Sequence, residues 1–314
     1  MKGALVTGAN GYIGSVLCKM LKEQGYRVAG IDIEDGIGEE YCDQFYHGDF
    51  AEFVGFALPT DTVFHLAANS LLGPSAKDPL PYYLNNTAMT VSLISSLGPQ
   101  NRFIFASTAA VYKNDVRVKT EDQAPEPPNN YGLSKLMVEQ VLDKCHEASK
   151  IKAVSFRFFN VIGAYGDVGQ KPDTPHVVNQ LIDKTLQKKP FKLNGDDYAT
   201  PDGTCIRDYL HVEDVCRALI HADEYLRKRK SPCHKVYNLG TKTGTSVSEI
   251  VESFKRVTGS KVKVKVGPKR IGDPDRLIAD PSLFIRDTGF KYKYGPKDLD
   301  KMILSAWEYR NGSV

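Results

Sequence analysis

A short apolar run, Ala4-Leu5-Val6, ends in Thr7-Gly8, and glycine then recurs at every third position, Gly8, Gly11 and Gly14. An apolar-periodic stretch follows directly through Val16, Leu17, Met20 and Leu21. Strand, glycine turn and helix start in this order leave few folds open. Glycines allow a tight turn and let a ligand approach the backbone, and the helix N-terminus behind them favours anions. These are the parts of a dinucleotide-binding unit. The spacing is GxxGxxG rather than GxGxxG, so its weight comes from its place between the right elements.

The next stretches extend the pattern. A second strand, Arg27-Val28-Ala29-Gly30-Ile31, ends at Asp32. A carboxylate about 20 residues beyond the turn holds ribose hydroxyls and repels a 2′-phosphate, which favours NAD over NADP. His47-Gly48-Asp49-Phe50 follows a third strand, with Asp49 placed for an adenine amino group. The fourth strand, Thr62 to Leu66, runs into Ala67-Ala68, small residues against which a cofactor can lie. His65 within it reads as a hydrogen-bonded strand histidine. Pro79 to Asn86 leads into a helix reaching about Leu97. A fifth strand, Arg102-Phe103-Ile104-Phe105, ends in Ala106-Ser107-Thr108. Strands alternating with helices through about residue 160 make the fold class α/β, a Rossmann-like doubly wound parallel sheet, with a smaller α/β lobe after it.

Tyr131-Gly132-Leu133-Ser134-Lys135 then places a phenol and an amine one helical turn apart on the same face. An ammonium beside a phenol favours the phenolate, which makes Tyr131 a proton acceptor for a substrate hydroxyl. Leu133, Met137, Val138 and Leu142 suit an ordinary amphipathic helix equally well, so the spacing alone decides nothing. Thr108 supplies the company. Hydroxyls at the C-terminal end of a parallel strand face the crevice where open α/β sheets bind ligands.

Composition narrows the class. A chain of 314 residues suits one large and one smaller lobe. The net charge of +3, with basic and acidic residues interleaved, implies neither a nucleic-acid nor a membrane partner. Arg227-Lys228-Arg229-Lys230, the one basic run, reads as a solvated helix end. Six scattered cysteines form no CxxC pair, which fits a reduced, cytoplasmic protein. No signal-peptide core precedes the glycine turn, and no apolar run approaches the ~18 residues of a membrane span.

The chain resembles the extended short-chain dehydrogenase/reductase family, and its carboxyl half is similar to UDP-glucose (UDP-galactose, UDP-N-acetylglucosamine) 4-epimerases. The residues that carry this are Arg157-Phe158-Phe159-Asn160-Val161-Ile162-Gly163-Ala164 and the run from Asn194 through Asp197-Tyr198, Asp202-Gly203-Thr204 and Arg207-Asp208-Tyr209 to His211-Val212. Tyr237-Asn238-Leu239-Gly240 and Arg270-Ile271-Gly272-Asp273 complete the set. The resemblance implies an NAD site of Gly8, Asn10, Gly11, Tyr12, Ile13, Gly14, Asp32, Asp49, Phe50, Leu66, Ala67, Ala68, Asn86, Ser107, Tyr131, Lys135 and Phe158. It implies Thr108, Tyr131 and Lys135 as the catalytic group. Thr108, Phe159, Asn160, His176, Asn194 and Tyr209 belong by resemblance to the substrate site. Arg207 and Arg270 match arginines that clamp a nucleotide diphosphate, and Asp273 matches a ribose ligand. A guanidinium offers phosphate a planar fork of donors. The alternative for Arg207 is an ion pair with Asp208 or Asp214.

Departures from the family pattern are local. The loop from Tyr165 to Pro175 is short, and His176 stands where some members carry asparagine. Lys113 replaces a usual glycine and Ser70 a lysine. Segments 33–46 and 51–59 are compressed, so a covering helix is short or missing there. Leu277 falls where a tyrosine restricts some members to plain hexoses, which predicts tolerance of UDP-N-acetylhexosamines.

The implied reaction is 4-epimerisation of a UDP-hexose through a 4-keto sugar, with UDP-pentose or UDP-uronate epimerisation as the alternative. A nucleotide-sugar 4,6-dehydratase needs an Asp-Glu acid and base after the threonine, and Ala109-Ala110 occupy those places. A non-catalytic NAD-binding regulator would not need Tyr131 and Lys135. The expected division is a NAD-binding lobe at 1–165 and a substrate lobe at 166–314, with 207–240 partly returning to the first. Helices near 85–97 and 131–149 are expected side by side, where relatives form a homodimer.

Overall fold

A computed structural model describes residues 2–53, 60–115, 117–270 and 272–312. Six strands arise in chain order: β1 (Gly3–Thr7), β2 (Arg27–Asp32), β3 (Gln44–His47), β4 (Thr62–His65), β5 (Arg102–Thr108) and β6 (Lys152–Phe158). With Cys233–Leu239 they form a seven-stranded parallel sheet in the order Cys233–Leu239, β6, β5, β4, β1, β2, β3. The order reverses between β1 and β4, and there the C-terminal ends open a crevice. Central strands are buried on both faces, as the near-continuous apolar runs require.

Helix α1 (Tyr12–Glu23) turns Val16, Leu17, Met20 and Leu21 into the core beneath the sheet. On the other face, Leu93, Ile94, Val138 and Leu142 pack on Leu5, Val63, Phe103 and Phe105. They come from Thr90–Ser95, which continues a π-helical stretch Tyr83–Met89, and from the long helix Asn130–Glu147. The two helical segments lie side by side as expected, joined by Thr87 Oγ1 donating to the Ser134 carbonyl at 2.9 Å. The compressed segment 33–46 holds only a 3₁₀ turn, Ile37–Tyr41, ahead of β3. Phe50–Phe53 is a second such turn, and the rest of the other compressed segment, 54–59, lies outside the described residues.

One topological expectation fails in part. The sequence suggests that 207–240 partly returns to the first lobe, through a strand and helix near Arg207 to Tyr225. Ile206–His211 instead centres a second sheet, pairing with Asn160–Ile162, Gly244–Ser246 and Arg276–Leu277. Cys233–Leu239 is the strand that returns. It pairs with β6 over its whole length, satisfying an edge that would otherwise be open. The second sheet takes its first strand, Asn160–Ile162, from ahead of residue 165. Helix Val247–Thr258 begins at a capping box, Ser246 with Glu249, and stops at left-handed Gly259. Lys261 to Val266 does alternate, but both Val264 and Val266 are exposed in the two-stranded ribbon of Val264–Gly267 with Phe191–Asn194.

A small hairpin, Ala164–Tyr165 with Val168–Gly169, crosses from the second sheet to the first lobe. Asp167 takes both Lys19 of α1 and the Tyr41 phenol. Tyr165 donates to Glu23 at 2.7 Å, and Lys171 donates to the Asp35 carbonyl at 3.1 Å.

Candidate active site

The glycine turn is built for close approach. Gly8 adopts φ +72°, and a Cβ there would sit 2.8 Å from the Ala67 nitrogen. A Cβ on Gly14 would run into the Gly8 carbonyl, so the helix packs flush against the turn. No side chain caps the N-terminus of α1, which leaves its first N–H groups for an anion. Asp32 ends β2 with its carboxylate accepting from Asn10 N at 2.8 Å and Glu34 N at 3.1 Å. Asn10 in turn accepts from Glu39 N (3.0 Å) and donates to the Glu34 carbonyl (2.7 Å), fixing the wall beside Asp32. The Tyr12 phenol donates to the Gly163 carbonyl at 2.6 Å, and the Ile13 carbonyl faces the Cys216 thiol.

Across the crevice, Leu66 and Ala67 nitrogens bond to Thr7, and Ala68 is half-buried beside them. Buried Asn86 accepts from Asn69 N (2.9 Å) and donates to the Asn69 carbonyl and to Ser134 Oγ, joining this loop to the long helix. Asp49 accepts from Ala51 N and caps a turn. Phe50, expected at the cofactor, turns its ring into the core against His65 and leaves only its main chain for a ligand. Ser107 likewise gives its hydroxyl to buried Glu139. His65 is a strand histidine held by Thr7 and Thr90 at 2.7 and 2.8 Å.

Thr108, the last residue of β5, is in register with Phe158 at the end of β6. Its Oγ1 accepts from Ala110 N at 3.1 Å, and its hydroxyl is near enough to the Tyr131 phenol to favour the phenolate. Lys135 is 1% exposed, its ammonium 4.7 Å from the centre of the Phe105 ring. Burial pushes the Tyr131 phenol up to about 12, against the lowering pull of Thr108, and pushes Lys135 down to about 7. The expectation is that the lysine and the cofactor's positive charge together lower the phenol's pKa, and in the protein itself burial is the larger influence on the phenol. Both groups are desolvated, and each is driven towards its neutral form.

The substrate end gathers from the second lobe. Arg207 Nη1 donates to the Ile206 and Pro274 carbonyls, and its Nη2 lies 3.6 Å from Asp273. It pairs with neither Asp208 nor Asp214, which serve Thr241 and Arg217. The Asn194 amide oxygen accepts from Arg270 at 3.1 and 3.2 Å. His176 bonds to Gln170, and desolvation first, then Arg270, lowers its pKa although much of its surface faces solvent. Phe159 is buried, Asn160 is in register with Tyr209, and Leu277 is half-buried in register with Arg207. Ile271, in the same motif as Arg270, lies outside the described residues.

Sequence reasoning missed the supports beneath these groups. Glu139 meets Arg157 at 2.7 Å, Arg157 donates to the Tyr112 phenol at 2.8 Å, and Tyr112 donates to Asn238 at 2.7 Å. Glu139 lies one turn beyond Lys135, a spacing that could have marked it. A Cβ on Gly132 would run into the Ala110 carbonyl, so the helix bearing Tyr131 sits hard against the turn after Thr108.

The family model for the NAD dependent epimerase/dehydratase family matches residues 4–240. A UDP-glucose 4-epimerase of Halalkalibacterium halodurans is 37% identical, with 97% of this chain and 94% of that protein covered. The crystal structure of UDP-glucose 4-epimerase from Brucella ovis in complex with NAD superposes with a TM-score of 0.90 at 35% identity, covering 99% and 98%. The UDP-Glc/GlcNAc 4-epimerase of Campylobacter jejuni does so with a TM-score of 0.83 at 34% identity, covering 99% and 100%.

Proposed function

The chain belongs to the NAD dependent epimerase/dehydratase family, and from that premise we propose that it is an NAD-dependent UDP-sugar 4-epimerase acting on UDP-glucose and UDP-galactose. The observation that carries this is Tyr131 beside Thr108 with buried Lys135 one turn along, set next to a closely packed glycine turn whose helix N-terminus no side chain caps. The residues fit the cofactor: open helix N–H groups for the pyrophosphate, Asp32 for the adenosine ribose and Lys135 for the nicotinamide ribose.

Bound NAD⁺ supplies the hydride acceptor and later donor for sugar C4, together with a positive charge that favours the Tyr131 phenolate. Tyr131 Oη takes the C4 hydroxyl proton and returns it to the epimer. The Thr108 hydroxyl, held by Ala110 N, steadies the developing oxyanion. Arg207 and Arg270 hold the diphosphate, with His176, Asn194 and Asp273 around them. Phe159, Asn160 and Tyr209 line the hexose side with few charges, so the 4-keto sugar can turn over while its nucleotide stays fixed. Ala109 and Ala110 offer no acid or base for dehydration.

Leu277 in place of a tyrosine leaves room for an N-acetyl group, and the Campylobacter jejuni relative is a UDP-Glc/GlcNAc 4-epimerase. The protein is read as a cytoplasmic homodimer. Its cysteines are free, and among the described residues no helix is long and apolar enough to cross a membrane.

Incubation with UDP-glucose, UDP-GlcNAc, UDP-xylose and UDP-glucuronate, with the products resolved, tests the reading. UDP-galactose from UDP-glucose is expected, and Tyr131→Phe should lower kcat at least ~100-fold while retaining NAD. Conversion of only the pentose or the uronate would move the assignment to that substrate. Good turnover of UDP-galactose with none of UDP-GalNAc would remove the role given to Leu277.

A further inference from the structure

The stretch that carries Arg270 and Asp273 has little regular structure of its own. Its two-residue strand, Arg276–Leu277, pairs with Ile206–Arg207, and Asn194 holds the Arg270 guanidinium. Arg207 donates to the Pro274 carbonyl and Ile206 N to the Asp275 carbonyl, and a further set of ties comes from the loop that leaves the strand bearing Thr108. Asn114 donates from Nδ2 to the Gly272 carbonyl at 2.6 Å. Lys119 N donates to the Ile278 carbonyl at 2.8 Å, and Asp280 N donates to the Lys119 carbonyl at 2.7 Å.

This loop is stiffened from within. Lys119 is 1% exposed, and its ammonium donates to the Lys113 carbonyl at 2.9 Å and to the Asp115 carboxylate. The other Asp115 oxygen takes the Arg117 guanidinium at 2.6 and 2.9 Å. Lys113, in the place where glycine is usual, reaches Glu126 at 3.1 Å. Burying an ammonium costs free energy that a solvated loop need not spend, and what it gains is a fixed shape. That shape presents exposed Asn114 to the middle of the Arg270–Asp273 turn.

We propose that Lys113, Asn114, Asp115 and Lys119 form a clasp that helps set the position of Arg270 and Asp273, with Asn114 a positioning residue for the nucleotide diphosphate. The clasp rests on the UDP-sugar reading of the site. It touches the nucleotide clamp and not the reacting carbon, so it acts on binding and leaves the hydride step alone. It also joins the clamp to the strand of Thr108, so a bound nucleotide and the catalytic hydroxyl share one rigid support.

Calorimetric titration of UDP into the purified protein, with steady-state kinetics on UDP-glucose, tests this. Asn114→Ala should weaken UDP and raise KM about fivefold, the worth of one side-chain hydrogen bond. Asn114→Asp, which sets a carboxylate against the Gly272 carbonyl, should weaken both further. Both variants should keep the parent's kcat and melting temperature, since Asn114 is exposed. Unchanged UDP affinity in both variants, or a loss confined to kcat, overturns the clasp while leaving the epimerase reading standing. Failure of the unaltered protein to bind UDP overturns both.

Discussion

Lys135 is a cation placed where a cation is expensive, and its cost can be measured without substrate. With its pKa at about 7 in the fold and near 10.4 in the open chain, it is charged in both states below pH 7 and neutral in both above about 10.4. Between those limits the unfolded chain binds more protons, so stability rises with pH. The rise amounts to about 2 kcal/mol between pH 7 and 9. Lys135→Met should remove that slope in urea unfolding of the NAD-free protein at the two pH values, and should abolish epimerisation. An equal slope in the variant would show that the amine is solvated. Tyr131, Lys135 and Thr108 were legible in the sequence as residue types at a spacing. Their protonation was not, because burial depends on Phe105, Tyr82 and the neighbouring strand ends, which come together only in the fold.

The long helix Asn130–Glu147 shows what spacing tells and what it omits. Its N-cap is Asn129, accepting from Gly132 N at 2.8 Å, and its face towards the sheet follows the apolar period. Gly132, between Tyr131 and Leu133, is the point where this helix touches the Ala110 carbonyl. Gly132→Ala should therefore force the two apart. The expected loss is roughly 1–3 kcal/mol of stability, with a fall in kcat larger than any change in NAD affinity. Chemical denaturation and NAD titration on the same variant separate the two effects. Local signals serve well where they are local: the Ser246–Glu249 capping box and Gly259 bound their helix. They failed for Ile206–His211, a fully buried strand whose mixed polar and apolar sequence fits either sheet. Partner choice there is set by Asn160–Ile162 and Arg276–Leu277, distant in the chain.

For the whole molecule, the alternation of strands and helices made the seven-stranded sheet legible, while the meeting of the two lobes was not. Leu80 and Leu84, 67% and 60% exposed, flank the paired helices on which the homodimer reading rests, with Leu71 and Leu72 nearby. Apolar exposure of this kind is costly unless covered. Leu80→Glu with Leu84→Glu should convert a dimer into a monomer in analytical ultracentrifugation without unfolding it. A parent that sediments as a monomer would refute the dimer. The crossing hairpin carries a separate consequence. Asp167 and Lys171 fasten it to both walls of the glycine cradle, α1 on one side and the 34–41 segment on the other. Together these fastenings would slow the exchange of a dinucleotide seated in that cradle. Since each catalytic round restores the oxidised form, such an enzyme would be insulated from the redox balance of the pool around it, working at the same rate whether its surroundings are rich in NAD⁺ or in NADH.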